Sequence, residues 1–174
     1  MLMRRGSARV IGWGAAALLV VAGATPVWAR DTVPFESASY SAGTILIRNS
    51  ERALYLVTGN GKAYRYRVAV GRPGKQWFGS AYIKGKYVQP AWSPPDEVRR
   101  DKPSLPDVIP GGSPRNPMGP RAILLDRSEI AIHGTNRPKS IGAFASYGCI
   151  RMFNKDILDL YERVSVGGKV VVVP

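Results

Sequence analysis

The chain has 174 residues, 45% of them hydrophobic and 21% charged, which suits one globular domain with a sizeable core and excludes a disordered chain. Lysine and arginine number 25 against 12 acidic residues, a formal charge of +13, so a large partner would be anionic: nucleic acid, anionic lipid or an acidic wall polymer. One cysteine and one histidine exclude an internal disulfide framework and leave too few soft ligands for a structural zinc site.

The first thirty residues account for part of the charge. Arg4, Arg5 and Arg9, with no acid among them, precede an apolar run over residues 10–22, and Val27-Trp28-Ala29 offers small residues at the two positions a signal peptidase reads. That run is shorter than the roughly 20 residues a membrane-spanning helix needs. Residues 1–29 therefore read as a signal peptide cleaved after Ala29, with an uncleaved N-terminal anchor as the alternative and the only route to a membrane. Either version exports the rest of the chain to the periplasm or cell envelope. The sole cysteine, Cys149, stands far from the cleavage point and rules out lipid attachment there. After Ala29 the chain keeps 22 basic and all 12 acidic residues, a net charge of +10. Export argues against nucleic acid as a partner, and so diffuse a charge reads as a solvated basic surface.

Beyond the signal, residues 30–43 are polar and aperiodic and read as a tether to a single domain spanning 44–174. Residues 44–48 and 53–57 are β-branched and apolar runs flanking Asn49-Ser50-Glu51-Arg52, which suits a hairpin. Asn60-Gly61 suits a type I′ turn, and residues 62–70 then alternate: Tyr64, Tyr66, Val68 and Val70 share one face, Ala63, Arg65, Arg67 and Ala69 a wetter one. Residues 78–88 read as a weaker pair of strands broken at Lys84-Gly85-Lys86, residues 122–125 and 129–132 as two more, and residues 169–173 as an apolar edge-to-core strand. One helix stands out. Ile157, Leu160, Tyr161 and Val164 recur at helical spacing, Asn154 is placed to cap the start, Asp156 suits the first turn, and Gly167-Gly168 stops it. Short strands that are not interleaved with helices predict a mainly β fold, a β-sandwich or barrel-like domain with one helix on its C-terminal side.

Residues 93–120 hold eight of the fourteen prolines, which excludes a central strand or a helix. A loop this long inside a compact domain is a functional flap or a disordered segment, and Val108, Ile109 and Met118 offer apolar anchors for the former.

The chemistry gathers further on. His133 stands at a strand end before Gly134-Thr135, and sixteen residues after it, within Ser146-Tyr147-Gly148-Cys149-Ile150-Arg151, comes Cys149. A thiol becomes a strong nucleophile as a thiolate, and a positioned imidazole that takes its proton is a standard means of activation. Gly148 lets substrate approach the sulfur, and the N–H groups of Gly148 and Cys149 can turn toward a developing oxyanion. These parts suit acyl transfer. The residues alone equally allow a hydrogen-bonded structural histidine and a small buried cysteine.

The run HGTN, then SIG, then SYGCIRMFNKD, preceded by PAWSPP, VIPGG and NPMGPRAILL, resembles the L,D-transpeptidase catalytic domain family of bacterial cell-wall enzymes, over about residues 44–173. The resemblance implies a β-sandwich with a catalytic groove, Cys149 as nucleophile, His133 as general base and acid, and the Gly134 backbone carbonyl orienting the imidazole. It further implies an oxyanion hole from the N–H groups of Tyr147, Gly148 and Cys149. Ser146 and Arg151 match family positions that line or support the donor site, with a turn hydroxyl and a structural ion pair as their alternatives. The implied reaction takes peptidoglycan stem peptides, releases D-alanine, and passes the acyl group to an amine of a neighbouring stem or of an envelope protein, with no metal or organic cofactor. Hydrolysis of the same bonds by an L,D-carboxypeptidase or endopeptidase, or a non-catalytic wall-binding module, are the alternatives. One departure stands at Tyr147, where many members carry a second histidine; it puts substrate preference near the sulfur in question.

Overall fold

The computed structural model describes residues 32–36 and 39–174; the expected signal peptide lies outside the described residues. Ten strands join in one sheet: β1 (Thr32–Pro34), β2 (Ile45–Arg48), β3 (Ala53–Gly59), β4 (Lys62–Gly71), β5 (Gly79–Val88), β6 (Arg121–Leu125), β7 (Ala131–His133), β8 (Phe144–Ser146), β9 (Ile150–Met152) and β10 (Lys169–Val173). The order β4-β3-β2-β10-β5-β6-β7-β9 closes on itself, because β9 pairs again with β4 at Val68↔Met152 and Ala69↔Arg151. The result is the barrel-like form anticipated. Closure hides the edges of those strands and wraps them around one apolar interior.

That interior follows from the alternation. Tyr66, Val68 and Val70 of β4 face it together with Ile45, Ile47, Leu54, Leu56, Ile83, Ile123 and Ile132. On the opposite face of β4, Arg65 and Arg67 are exposed, whereas Ala63 is buried in a second cluster with Phe35, Leu46, Tyr55 and Val57. Among the described residues no helix is long and apolar enough to cross a membrane.

Several expectations are corrected. The segment read as a tether contributes β1, antiparallel to β4, and Phe35, whose N–H donates to the Gly61 carbonyl and whose ring packs 5.3 Å from that of Tyr55. Its aromatic residues, hidden in a polar composition, do the docking. Residues 79–88 form one strand rather than two, with a register shift between Ile83 and Gly85 that absorbs the glycine as a bulge. The Lys169–Val173 strand is central, parallel to β2 and antiparallel to β5. Its unbroken valines serve both sides: Val170 and Val172 enter the main core, while Val171 and Val173 pack on the second cluster.

The proline-rich segment contains a helix after all, α1 (Asp96–Asp101), with Pro95 before it and acids in its first turn. Proline is tolerated at a helix start, and only Val98 of α1 is buried. The late helix α2 (Asn154–Arg163) buries Ile157 and Leu160 as its pattern predicts. Asn154 does not cap it: Phe153 is the cap residue, and the Asn154 Oδ1 accepts the Thr135 N–H at 2.8 Å.

Candidate active site

Two short parallel strands carry the site. In β7 and β9, Ile132 pairs with Ile150 and His133 with Arg151. Side chains alternate across a strand, so His133 and Arg151 stand side by side on one face. Cys149 lies just before β9, two residues from Arg151, and lines the same cleft. With strands about 4.8 Å apart and about 3.3 Å per residue, the His133 and Cys149 backbones are roughly 8 Å apart, within reach of an imidazole and a thiol. His133, Cys149 and Arg151 open into one cleft of about 380 Å³, lined also by Trp92 and, from the proline-rich segment, by Pro95 and Val98.

The turn that presents Cys149 is held at several points. Gly148 has a φ of +121°, and a Cβ there would lie 2.9 Å from the Ile130 Cδ1, so only glycine fits without strain. Trp77 donates its indole N–H to the Gly148 carbonyl at 3.1 Å. The Ser146 hydroxyl accepts the Gly148 N–H at 3.1 Å and donates to the Cys149 carbonyl at 2.6 Å. This has two consequences for the expected roles. Ser146 borders the cleft but is 1% exposed, and its hydroxyl is bonded within the turn, the supporting arrangement that the sequence left open beside a lining role. The Gly148 N–H, expected to face an oxyanion, donates to the Ser146 hydroxyl in this structure.

The electrostatics describe a neutral resting pair. His133 is 4% exposed, and burial pushes its imidazole down to about 4; the nearby Arg151 charge adds to this, while the Gly134 and Pro117 carbonyls pull it partway back. Its Nδ1 is buried without a hydrogen bond of full geometry. Burial pushes the Cys149 thiol up, against the backbone N–H of Ala131 and the charge of Arg151, which favour the thiolate. In this state the thiol donates to the Glu129 carbonyl at 3.4 Å. Burial also lowers the Arg151 pKa, which the neighbouring Cys149 opposes. No carboxylate among the described residues pairs with Arg151. Gly134 allows a close approach: a Cβ there would lie 2.5 Å from the Asn154 Oδ1 and 2.8 Å from the Pro120 Cδ.

Sequence reasoning did not pick out Trp77 or Asn116. Asn116 is 3% exposed and donates to the carbonyls of Pro90, Ile109 and Pro110, while its Oδ1 accepts the Met118 N–H. An asparagine between prolines carries no periodic signal. Its hint is chemical: carbonyls of proline-rich backbone need donors that prolines cannot supply.

The comparisons with known proteins agree on one family. Residues 42–172 match the YkuD family, the L,D-transpeptidase catalytic domain. A protein of Escherichia coli described as "Probable L,D-transpeptidase YbiS" is 36% identical over 135 residues, covering 72% of this chain and 43% of that protein. The chain thus spans less than half the length of that curated relative. Among solved structures, the fold resembles an L,D-transpeptidase from Mycobacterium smegmatis, with a TM-score of 0.60 and 16% identity over 75% of this chain and 58% of that one. It also resembles L,D-transpeptidase 3 from Mycobacterium tuberculosis in complex with a faropenem-derived adduct, with a TM-score of 0.57 and 15% identity over 75% and 60% of the two chains. Since the family match covers three quarters of the residues and includes every strand from β2 through β9, the chain belongs to the L,D-transpeptidase catalytic domain family.

Proposed function

We propose that this protein is an exported L,D-transpeptidase of the periplasm or cell envelope, acting on peptidoglycan stem peptides with Cys149 as nucleophile and His133 as its base. The observation that supports the reading is that His133, at the end of β7, and Cys149, just before the paired strand β9, line one cleft. The Cys149 Sγ attacks the carbonyl of the third residue of a tetrapeptide stem, at its L-centre, while its proton passes to His133. The carbonyl oxygen becomes an oxyanion, met by the N–H groups of Tyr147 and Cys149. Collapse breaks the amide bond, His133 returns the proton to the leaving amine, and D-alanine departs. An amine then attacks the thioester, gives up a proton to His133, and the proton restores the thiol as the new amide forms. The amine of a neighbouring diaminopimelate gives a 3→3 crosslink; an amine of an envelope protein gives wall anchoring.

Arg151 has opposite effects on the two partners: its charge favours a thiolate and disfavours an imidazolium. Burial, the larger cause at both groups, favours the neutral imidazole and the neutral thiol, so proton transfer accompanies attack rather than preceding it. The Gly134 carbonyl, which raises the basicity of His133, takes the orienting role.

The test is mass spectrometry of a tetrapeptide stem incubated with the protein, with and without an added amine, alongside a β-lactam of the carbapenem type. A structural neighbour's adduct with faropenem supports a β-lactam as the probe. One covalent adduct per chain is expected, absent in Cys149→Ala, and amide product should appear only with amine present. Hydrolysis that ignores the amine would move the assignment to a carboxypeptidase. Absence of any adduct in the parent chain would end the enzyme reading.

A further inference from the structure

The residue that departs from many family members has contacts that the reaction leaves unexplained. The Tyr147 hydroxyl donates to the Asp101 Oδ2 at 2.6 Å, and the Arg72 guanidinium lies 4.1 Å from the centre of the Tyr147 ring. The same guanidinium reaches Asp101 at 3.1 Å and Glu97 at 3.4 Å, and Lys75 reaches Glu97 at 2.6 Å. Asp101 and Glu97 are four residues apart, so they share one face of α1. The Arg72 N–H donates to the Ser146 carbonyl at 2.9 Å, which fixes Arg72 to the same turn that carries Tyr147. Three segments thus converge: the nucleophile turn, the link between β4 and β5, and the helix that lines the cleft.

We propose that Tyr147 is a positioning residue that clasps α1 against the nucleophile turn through Asp101 and Arg72, and so sets the width of the cleft that receives the stem peptide; this rests on the transpeptidase reading. A six-residue helix with no side-chain cap and one buried residue does not hold its place by itself. Exposed ion pairs contribute little singly. Here two pairs, a cation–π stack and a phenol-to-carboxylate bond meet on one guanidinium and one carboxylate, so ordering one side chain orders the others. Tyr147, Glu97 and Val98 all line the cleft, so movement of α1 changes the space beside Cys149 directly. Hydrogen bonding from Tyr147, then from Arg72, holds the Asp101 carboxyl below its ordinary range.

The experiment uses the full chain, its Asp101→Asn and Tyr147→Phe variants and the double variant. It measures hydrogen exchange of the amides of residues 96–101 and steady-state kinetics with a tetrapeptide stem. Asp101→Asn should speed exchange in that segment and raise KM about fivefold while kcat stays within about twofold, the pattern of lost binding rather than lost chemistry. Tyr147→Phe should raise KM by the same factor, and the double variant should add nothing to either single change, as for two residues acting through one contact. Unchanged exchange and unchanged KM in Asp101→Asn would overturn the clasp even if Tyr147→Phe failed to fold. If the parent chain turned over no stem peptide, the transpeptidase reading would fall, and the exchange data would still decide whether Tyr147 and Asp101 hold α1.

Discussion

The strands opposite the cleft and the segment that lines one side of it are held together in different ways. In β2, β3 and β10, Ile45, Ile47, Leu54, Val170 and Val172 are all nearly or wholly excluded from water, and each side chain shares its burial with several neighbours. The proline-rich segment has few such residues. It rests on single points: the carboxamide of Asn116, the Trp92–Ile109 bridge, Gly111, where a Cβ would strike the Gln89 carbonyl, and Gly119, where one would strike the Asn154 Oδ1. Apolar packing is non-directional and spreads a loss over many contacts, whereas a carboxamide or a tight glycine contact fails all at once. One side of the cleft, at Pro95, Val98, Pro117 and Met118, belongs to the point-held segment, so its position depends on a handful of atoms.

The sharpest way to break the contrast is Gly148→Ala. The added methyl meets Ile130 at 2.9 Å and the φ of +121° strains any side chain, so the turn must shift. Turnover of stem peptide should fall about 100-fold or more, since small displacements of a nucleophile cost that much, while far-UV circular dichroism stays native.

Acid tests the same region through His133. Its imidazole titrates near 4 when folded, against an ordinary value of 6.5. Between those values the unfolded chain binds the proton that the folded chain refuses, so stability rises with pH there and is lost as pH falls from about 6.5 toward 4. At about 1.4 kcal/mol per unit this amounts to roughly 3 kcal/mol. Urea midpoints at pH 7 and pH 4.5 should fall less steeply in His133→Asn than in the parent chain; equal slopes would mean the imidazole is not held neutral by burial.

Asn116→Ala removes the buried carboxamide that donates to the carbonyls of Pro90, Ile109 and Pro110 and accepts the Met118 N–H; Ile109 and Pro110 keep the N–H groups of Trp92 and Ser113. The substitution should cost about 2–3 kcal/mol by chemical denaturation and disturb that side of the cleft. Ile45→Val, in the densely shared core, should cost only about 1 kcal/mol and leave turnover intact. If the two cost the same, the distinction between point-held and packed regions is wrong.

The strands rich in β-branched residues were legible because alternation reports burial on one face directly: residues 62–70 form a strand with the anticipated inner face. The helix pattern in residues 157–164 was equally plain, though its cap was misassigned, because Asn154 is claimed by Thr135 from a distant part of the chain. Strands β8 and β9 were missed. Each is three residues long, too short for any period to show, and each depends on distant partners: β4 for β8, and β4 and β7 for β9. The proline content pointed to an irregular segment but hid α1, whose fixing contacts come from Arg72, Lys75 and Tyr147.

By itself the sequence determined the class of fold, the inner faces of the long strands, the late helix and the candidacy of His133 and Cys149, because these depend on local periodicity and on the scarcity of two residue types. Only the tertiary structure decided that β10 is central, that Ser146 and the Gly148 N–H serve the turn, and that Tyr147 reaches α1. Those outcomes depend on which distant groups arrive at a shared hydrogen-bond donor or acceptor, and no spacing along a single chain encodes that meeting.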